Sequence, residues 1–353
     1  MKIPEKLQKI MPYDPSEDIY PIKLDANESF FQLPAALRER IANAVRELPY
    51  NRYPDPAVKK VNALAAAEFG VKAEEIAAGN GSDELISILL NGFCPKGSRL
   101  LVLEPDFSMY RLYGEIYEIS VLSAEKETDF TVSPEKVIEF CKAEKPAAVI
   151  FSNPCNPTGQ GFTKGEILHM VESLPDTLLI IDEAYMDFWH ESILDCVTQL
   201  ENVFVLKTMS KAFGMASVRL GFAIANAALI QQVNKIRSPF NVNMLTQTAA
   251  EIALQDTTWV KAQLVEILQR KEELEQALEK ISTQYPVVDV KKTVTNFVVL
   301  QTKYGDKIYQ KLLQRGVCIR NFAQYGFLRI TAGSREENQR FLSELTAVLE
   351  EGF

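Results

Sequence analysis

The sequence predicts an α/β protein with a large domain built on a mostly parallel sheet and a smaller α+β domain in the C-terminal third. Two observations predict this class. Short apolar runs alternate with helical patterns over residues 76–224, and strands buried on both faces of a parallel sheet produce that alternation. A long charged helical pattern then begins at Trp259, and shorter strand and helix patterns follow it.

The composition limits what kind of protein this is. At roughly 150 residues per domain, the chain is long enough for about two domains. It is 47% hydrophobic and 24% charged, which is ordinary for a soluble globular protein with a large core. A formal net charge of −9 argues against a nucleic-acid partner, because such a partner requires a basic face.

The cysteines and histidines narrow the class further. The chain has five cysteines, an odd number without a Cys-x-x-Cys motif, which indicates neither a disulfide framework nor a zinc site. We therefore expect a cytoplasmic protein. With only two histidines, no metal site is predicted. There is no apolar signal region at the N-terminus and no apolar run long enough to cross a membrane, so no membrane partner is expected.

The elements of the large domain are predicted in chain order. We interpret the first thirty residues as an arm, or as a segment packed on another part of the protein. Strands are expected at Leu100–Leu103, Ala147–Phe151, Leu178–Ile181, Val203–Leu206 and Gly221–Ile224. Helices are expected at Pro34–Glu47, Ala57–Phe69, Asp83–Phe93, Met109–Tyr117 and Lys164–Ser173.

The C-terminal third has a different pattern. The long helix is expected at Trp259–Ile281, where apolar residues recur in helical steps. Strands are expected at Asn296–Leu300, Val317–Arg320 and Phe327–Thr331, with helices at Lys307–Gln314 and Glu336–Leu349. We expect residues 1–48 to form the arm and part of the small domain, 49–245 the large domain, and 246–353 the connecting helix and the rest of the small domain.

Lys211 is the first candidate for chemistry. It follows an apolar strand and lies among small residues, with hydroxyls at Thr208 and Ser210 and a guanidinium at Arg219. Such a lysine amine can form a Schiff base with an aldehyde cofactor, while the hydroxyls and the arginine bind its phosphate. This pattern points to pyridoxal phosphate. The alternative, a surface lysine in a strand-to-helix loop, stays open on this stretch alone.

Two turn-rich segments could contact such a cofactor. Gly79–Glu84 precedes a helix, and a glycine turn at a helix N-terminus suits a phosphate, although a helix cap by Ser82 or Asp83 explains the same residues. Ser152–Gly159 follows a strand and contains two X-Pro steps, so it could hold the Asn156 amide against a cofactor oxygen. A plain proline-rich turn is the alternative there.

Charged residues at strand ends complete the candidate site. Asp182 ends a strongly apolar strand, and a buried carboxylate needs a cationic partner such as a protonated pyridine nitrogen; an N-cap is the alternative. Tyr185 could donate to a phenolate. Arg329 lies between Leu and Ile in a short strand, with Arg320 nearby, and arginine binds carboxylate or phosphate in a bidentate manner. An internal ion pair is the alternative for Arg329.

Taken together, these motifs resemble the fold-type-I pyridoxal-phosphate aminotransferases and, more narrowly, the histidinol-phosphate aminotransferases. The resemblance covers nearly the whole chain. The matching segments are Leu24–Glu28, Arg52–Asp55, Gly79–Glu84, Asn156–Gly159, Asp182–Tyr185, Ser210–Gly214 and Leu328–Thr331.

The resemblance implies a role for each site residue. Lys211 would form the Schiff base and move the proton, with Asp182 on the pyridine nitrogen and Tyr185 and Asn156 on the phenolic oxygen. Tyr110 would stack on the ring. The phosphate would be held by Gly81, Ser82, Asp83, Thr208, Ser210 and Arg219, and by Tyr53 of a neighbouring subunit. Substrate would be bound by Arg329, Arg320, Tyr13 and Asn27.

The resemblance also implies ping-pong transamination, in which imidazole-acetol phosphate and glutamate give histidinol phosphate and 2-oxoglutarate in a homodimer with shared sites. An aromatic or broad-range aminotransferase and a phosphothreonine decarboxylase of the same fold remain alternatives. A ligand-sensing module of a transcription regulator is disfavoured by the acidic charge. Cys155 stands where related sequences often carry Asn; we expect a packing residue there, with an oxidation-prone thiol as the alternative.

Overall fold

The computed structural model describes residue 3, residues 5–10 and residues 19–352. Within these ranges the strands are β1 (Ile22–Leu24), β2 (Ile76–Gly79), β3 (Arg99–Glu104), β4 (Ser120–Glu125), β5 (Ala148–Ser152), β6 (Leu178–Asp182), β7 (Val203–Thr208), β8 (Gly221–Ile224), β9 (Asp289–Lys291), β10 (Phe297–Gln301), β11 (Val317–Phe322) and β12 (Phe327–Thr331). The α-helices there are α1 (Glu5–Lys9), α2 (Ala35–Arg46), α3 (Lys59–Phe69), α4 (Ser82–Phe93), α5 (Met109–Ile116), α6 (Pro134–Glu144), α7 (Lys164–Ser173), α8 (Ala227–Ile236), α9 (Met244–Ala253), α10 (Thr258–Gln284), α11 (Gly305–Gln314) and α12 (Arg335–Glu351).

Seven strands form the larger sheet, in the order β2-β8-β7-β6-β5-β3-β4. Every neighbouring pair is parallel except the two that involve β8. Successive side chains enter different apolar cores: Val149 and Phe151 face one core, while Ala148 and Ile150 face the other. Helices cover both faces, which is why these strands read as continuous apolar runs. The predicted α/β fold is confirmed.

Five strands form the smaller sheet, in the order β1-β11-β12-β10-β9. Its core is shared with helices α10, α11 and α12, which contribute apolar residues such as Leu274, Ile308 and Phe341. Helix α10 has 27 residues, so it is about 40 Å long. This sheet agrees with the predicted smaller α+β unit, while the residue boundaries between domains stay a prediction.

The N-terminal segment contributes to the smaller sheet. β1 runs parallel to β11 and buries Leu24, so residues 22–24 are packed on another part of the protein. Of the residues named from the sequence, Tyr13 lies outside the described ranges. Among the described helices, none is long and apolar enough to cross a membrane.

The topology brings the predicted chemical residues to one edge of the larger sheet. Strands β5, β6 and β7 are parallel neighbours, so the segments after them all emerge on the same side. These segments carry Asn156, Asp182 with Tyr185, and Lys211. Ligands of open α/β sheets bind at the carboxyl ends of the strands. The smaller sheet's β12 reaches the same region through Arg329, which contacts Asn156.

Candidate active site

Lys211 lies where the two sheets meet. Its side chain is half-buried, and its Nζ donates a hydrogen bond to the carbonyl oxygen of Ala26 at 2.8 Å. The same nitrogen lies 5.7 Å from the centre of the Tyr185 ring. The Tyr185 hydroxyl accepts a hydrogen bond from the Asn27 side-chain amide at 2.9 Å. The structure therefore groups three predicted site residues, Lys211, Tyr185 and Asn27, around one amine.

Asn27 is held by the smaller sheet. It is fully buried and has a left-handed backbone with φ of 52°, a conformation in which asparagine is favoured. Its backbone N–H donates to the Thr331 hydroxyl at 3.0 Å, and that hydroxyl donates to the Asn27 side-chain oxygen at 3.1 Å. The Asn296 amide donates to the Asn27 carbonyl at 3.2 Å. No role for Thr331 or Asn296 was predicted from the sequence, since nothing local links them to Asn27.

Asp182 is a buried acid at the end of β6. Its carboxylate accepts from the Tyr110 hydroxyl at 2.9 Å and from the Ala184 backbone N–H at 3.1 Å. Burial raises the pKa of Asp182 to about 6, although these two hydrogen bonds oppose the rise. Tyr110 is also buried, and burial followed by the charge of Asp182 raises its pKa well above its usual range. Stacking of Tyr110 on a cofactor ring stays a prediction.

The start of helix α4 forms an anion cradle. Its N-cap residue is Gly81, with φ of 84°, and no side chain in the described structure caps this helix start. A cap by Ser82 or Asp83, the alternative from the sequence, is therefore not what the structure has. A Cβ at Gly81 would lie 2.8 Å from the Arg219 Nη2. Because a helix start without a cap presents N–H groups and positive dipole, this turn suits a phosphate.

Strand β7 and the turn after it supply the remaining donors of the cradle. The Arg219 Nη1 lies 3.4 Å from the Ser210 hydroxyl oxygen, and the Ser210 backbone N–H donates to the Thr208 hydroxyl at 3.1 Å. On strand β8, a Cβ at Gly221 would lie 2.2 Å from the Ser82 nitrogen. Gly221 was not singled out from the sequence, and only a residue without a side chain lets β8 pack this closely beneath α4.

Arg329 and Arg320 lie on one face of the smaller sheet. They are directly opposite each other in the antiparallel pair of β11 and β12, so their side chains point to the same side. Arg329 is buried, and its guanidinium donates to the Asn156 side-chain oxygen and to the Asp25 carbonyl. Both of these partners are neutral oxygens. Asn156 and Arg329, two predicted site residues, are thus in direct contact.

The loop that carries Asn156 is supported by a buried acid. The Asn156 backbone N–H donates to the Ser152 hydroxyl oxygen at 2.9 Å, and that hydroxyl donates to Asp106. Burial raises the pKa of Asp106, while the nearby Lys126 ammonium and the Ser152 hydroxyl lower it. The Lys126 Nζ lies 3.8 Å from the Asp106 Oδ2. This support was not predicted from the sequence, because Asp106 and Ser152 are 46 residues apart.

Tyr53 lies on the surface. Its side chain is 78% exposed and stacks on Phe240 with ring centres 4.6 Å apart. The other site residues within the described ranges lie at the meeting of the two sheets or at the start of α4. An exposed aromatic pair of this kind is a common feature of an interface. A contact of Tyr53 with a neighbouring subunit stays a prediction.

The chain is similar in sequence to known aminotransferases. The family model described as aminotransferase class I and II matches residues 20–345. Histidinol-phosphate aminotransferase of Clostridium novyi is 38% identical over 335 residues, which covers 94% of this chain and 93% of that protein. The enzyme of the same name from Clostridium kluyveri is 37% identical over 98% of both chains.

Solved structures share the fold. The crystal structure of histidinol-phosphate aminotransferase from Sinorhizobium meliloti in complex with pyridoxal-5′-phosphate aligns with a TM-score of 0.89, 22% identity, and coverage of 98% of this chain and 97% of that one. L-threonine-O-3-phosphate decarboxylase from Porphyromonas gingivalis aligns with a TM-score of 0.80, 21% identity, and coverage of 93% and 99%. At these identities the likeness extends to the fold alone.

Proposed function

The chain belongs to the class I and II aminotransferases, and from that premise we propose that it transfers an amino group between glutamate and imidazole-acetol phosphate, giving 2-oxoglutarate and histidinol phosphate. It is a pyridoxal-phosphate-dependent aminotransferase. The substrate pair rests on the curated relatives, which carry the name histidinol-phosphate aminotransferase and match 94% and 98% of the chain. The geometry of the site supports it as follows.

The residues present fit pyridoxal phosphate. The cofactor carries an aldehyde, a basic ring nitrogen and a phosphate, and the site offers a complementary group for each. Lys211 supplies an amine, Asp182 a buried carboxylate, and the Gly81 turn a cradle that a Cβ would fill. Ser210 and Arg219 add donors beside that turn. This cofactor requires an amine, an acid and an anion cradle close together, and the site has all three at one edge of a sheet.

The chain's own residues divide the chemistry between them. When bound, pyridoxal phosphate supplies an electron sink for the carbanion that forms next to the amino acid's nitrogen. Lys211 moves the proton at the substrate's α-carbon, since its amine is the basic group at the meeting of the sheets. The Asn27 amide donates to the Tyr185 hydroxyl and so orients it to donate its own proton to the cofactor's phenolic oxygen. Asp182 holds the proton on the ring nitrogen, because burial without a cation is costly for its carboxylate.

The opposed pair Arg320 and Arg329 is the structural observation that supports the substrate assignment made from the relatives. Because the two guanidiniums lie opposite each other on one face, an anion bound there is attracted by both of them. A phosphate monoester carries between one and two negative charges at neutral pH, so it suits two guanidiniums better than one. Histidinol phosphate has a phosphate but no carboxylate, whereas glutamate has carboxylates. One arginine pair on one sheet face can therefore receive both substrates in turn.

We further propose a homodimer with shared sites, located in the cytoplasm. Tyr53 is exposed and stacked on Phe240, and it would reach the phosphate of the neighbouring subunit's cofactor. The cysteines are free thiols in the described structure, and four of them are buried. Free thiols persist in a reducing compartment, which supports the cytoplasm.

The proposed function is tested by a half-reaction. Cofactor-loaded protein is mixed anaerobically with excess histidinol phosphate without a keto acid, and the cofactor's absorption is followed while its amino form is assayed. We expect stoichiometric conversion, at least about tenfold faster than with phenylalanine, because only histidinol phosphate presents a phosphate to the arginine pair. Release of carbon dioxide from phosphothreonine without amino transfer, or faster conversion with phenylalanine, would contradict the assignment.

A further inference from the structure

We propose that Cys155 and Lys126 form an oxidation-sensitive pair, whose side chains become joined by a sulfur–nitrogen bond when hydrogen peroxide reaches them. The bond would link strand β4's C-terminal end to the loop that carries Asn156. The pair lies outside the set of residues that hold cofactor and substrate, and it places a reversible modification site beside that set.

The two reacting atoms are already in contact. The Lys126 Nζ lies 2.9 Å from the Cys155 Sγ and donates to it, and it also donates to the Pro105 carbonyl at 2.8 Å. Lys126 has a side chain that is only 5% exposed, and Cys155 is 3% exposed. A buried lysine with these partners cannot swing away into solvent, so the effective concentration of amine at the sulfur is high.

The surroundings of Cys155 differ from those of two other cysteines. Although burial opposes it, the Cys155 sulfur and the Asp106 carboxylate raise the pKa of Lys126. Cys94 and Cys141 instead lie within apolar clusters, and burial raises the pKa of their thiols to about 11 and about 12. Thiols of that kind are unreactive, since the thiolate is the nucleophile. Cys155 differs from these two cysteines in its position, because the Lys126 ammonium lies directly against its sulfur.

A cavity gives an oxidant access to the pair. It has a volume of about 120 Å³ and is lined by Cys155 and Lys126 together with Asp106, Ser152 and Thr131. A cavity of roughly 10–15 Å³ on this measure already holds one water, so a peroxide molecule fits. Apolar side chains such as Leu103 and Phe151 also line the cavity, and the polar groups among them offer hydrogen-bond partners to a small polar oxidant.

The reaction is a two-electron oxidation of sulfur by one peroxide. The Cys155 sulfur attacks a peroxide oxygen, the O–O bond breaks, and the departing hydroxide leaves with the thiol proton as water, which gives a sulfenic acid. Lys126 loses one proton to solvent, and its amine attacks the sulfur. The S–N bond forms, the S–O bond breaks, and a second water leaves with the amine proton. A thiol reductant reverses the step by displacing the amine from sulfur.

Closing the bond would disturb the loop that carries Asn156. Cys155 directly precedes Asn156, and its carbonyl accepts from the Gly159 N–H at 2.7 Å. Lys126 would also lose the charge that it holds 3.8 Å from Asp106, the acid that supports Asn156 through Ser152. Misplacement of a cofactor-facing group by about 1 Å is enough to lower turnover.

The test treats the holoenzyme with hydrogen peroxide and measures intact mass, peptide masses and activity. We expect the loss of two hydrogen atoms, about 2 Da, and one peptide that joins residues 126 and 155. Activity should fall about tenfold and return with dithiothreitol. Added oxygen atoms on Cys155 with Lys126 unlinked would overturn the proposal.

Three variants separate this chemistry from general damage. Cys155→Ser should keep its basal activity and lose both the mass change and the inhibition, whereas Cys94→Ser should respond as the native chain does. Lys126→Arg keeps a cation beside Asp106 but has no primary amine. Peroxide should therefore add oxygen atoms to Cys155 of this variant, and the activity of the variant should not return with dithiothreitol. Inhibition of Cys155→Ser by peroxide to the native extent would also overturn the proposal, independently of how Lys126→Arg folds.

Discussion

Asp182 shows at the scale of one residue how position changes chemistry. The carboxyl ends an apolar strand and is buried, so its pKa rises from 3.8 to about 6 even with Tyr110 and Ala184 donating to it. An acid with that pKa is mostly ionised near neutral pH, but burial of the ionised form costs free energy. A cation bound to it lowers that cost, which is why a buried carboxylate at this place favours a protonated ring nitrogen.

The raised pKa of Asp182 predicts a pH dependence of stability. Because the folded chain holds this proton more tightly than the unfolded chain, its stabilising effect is full below about pH 4 and is lost as pH rises through about 6. We expect Asp182→Asn to stabilise the cofactor-free protein by up to about 3 kcal/mol at pH 7, and by less at pH 5. Urea denaturation at both pH values measures it.

The control for Asp182 is an exposed acid of the same type. Asp176→Asn, on the surface after helix α7, should change the free energy of unfolding equally at both pH values. A stabilisation by Asp182→Asn that does not depend on pH would show that the substitution acts through packing rather than through the proton.

Arg329 carries the prediction for substrate. Lysine lacks the planar fork that binds an anion in a bidentate manner, so Arg329→Lys should raise the KM for both substrates by about 10- to 100-fold. Arg320→Lys should raise the KM for histidinol phosphate more than the KM for glutamate, because a phosphate carries more charge than a single carboxylate. Steady-state kinetics with each substrate, beside the cofactor's dissociation constant, measures both effects. Unchanged KM values in Arg329→Lys would remove its assigned role.

At the scale of elements, the start of helix α4 depends on the absence of a side chain. A Cβ at Gly81 would enter the space beside Arg219, and its φ of 84° is unfavourable for other residues. We expect Gly81→Ala to weaken cofactor binding by at least about tenfold, through occupation of the cradle. Gly97→Ala is the matched control, since Gly97 has φ of 80° but open space around it. Equal losses of cofactor affinity in both variants would attribute the effect to backbone strain.

The predicted elements agree with the structure where periodicity is strong. Strands β5, β6 and β7 are buried at every position except Leu178, and the predicted ranges differ from them by two residues at most. Strand β4 was not predicted, because it lies at the sheet's edge and is mostly part-exposed, so its apolar pattern is weak. Helices α6, α8 and α9 were also not predicted, although Ser133, Asn226 and Asn243 cap them as helix-start signals do.

At the scale of the whole molecule, the site depends on contacts between the two sheets. Asn27, which follows β1, joins Tyr185 of the larger sheet to Thr331 of the smaller one. Arg329 of β12 reaches across to Asn156. Val294 donates to the Gly159 carbonyl at 3.0 Å and ties the approach to β10 to the same loop. The relative position of the two sheets therefore sets the geometry of the site.

The proposed dimer predicts complementation between two inactive variants. If Tyr53 serves the neighbouring subunit, a hybrid of Lys211→Ala with Tyr53→Ala has one site in which both residues are native. We expect the purified hybrid, carrying two different tags, to show about half of the native activity at limiting cofactor. The parent homodimers should be nearly inactive under those conditions, because one lacks the amine and the other a phosphate ligand.

The hybrid also has a clear negative outcome. If Tyr53 acted within its own chain, each site of the hybrid would lack one residue, and the hybrid would be as inactive as its parents. Tyr50→Ala provides the matched control: Tyr50 is 69% exposed nearby, and its substitution should leave the activity at limiting cofactor unchanged.

By itself, the sequence determined the α/β class and the cofactor, and it predicted roles for Lys211 and Asp182, because buried strands and short motifs are encoded within a few neighbouring residues. Only the tertiary structure decided that Tyr110 meets Asp182, that Arg329 meets Asn156, and that Lys126 meets Cys155. These partners are 72, 173 and 29 residues apart. Strand order and packing create such contacts, and local periodicity predicts neither of them.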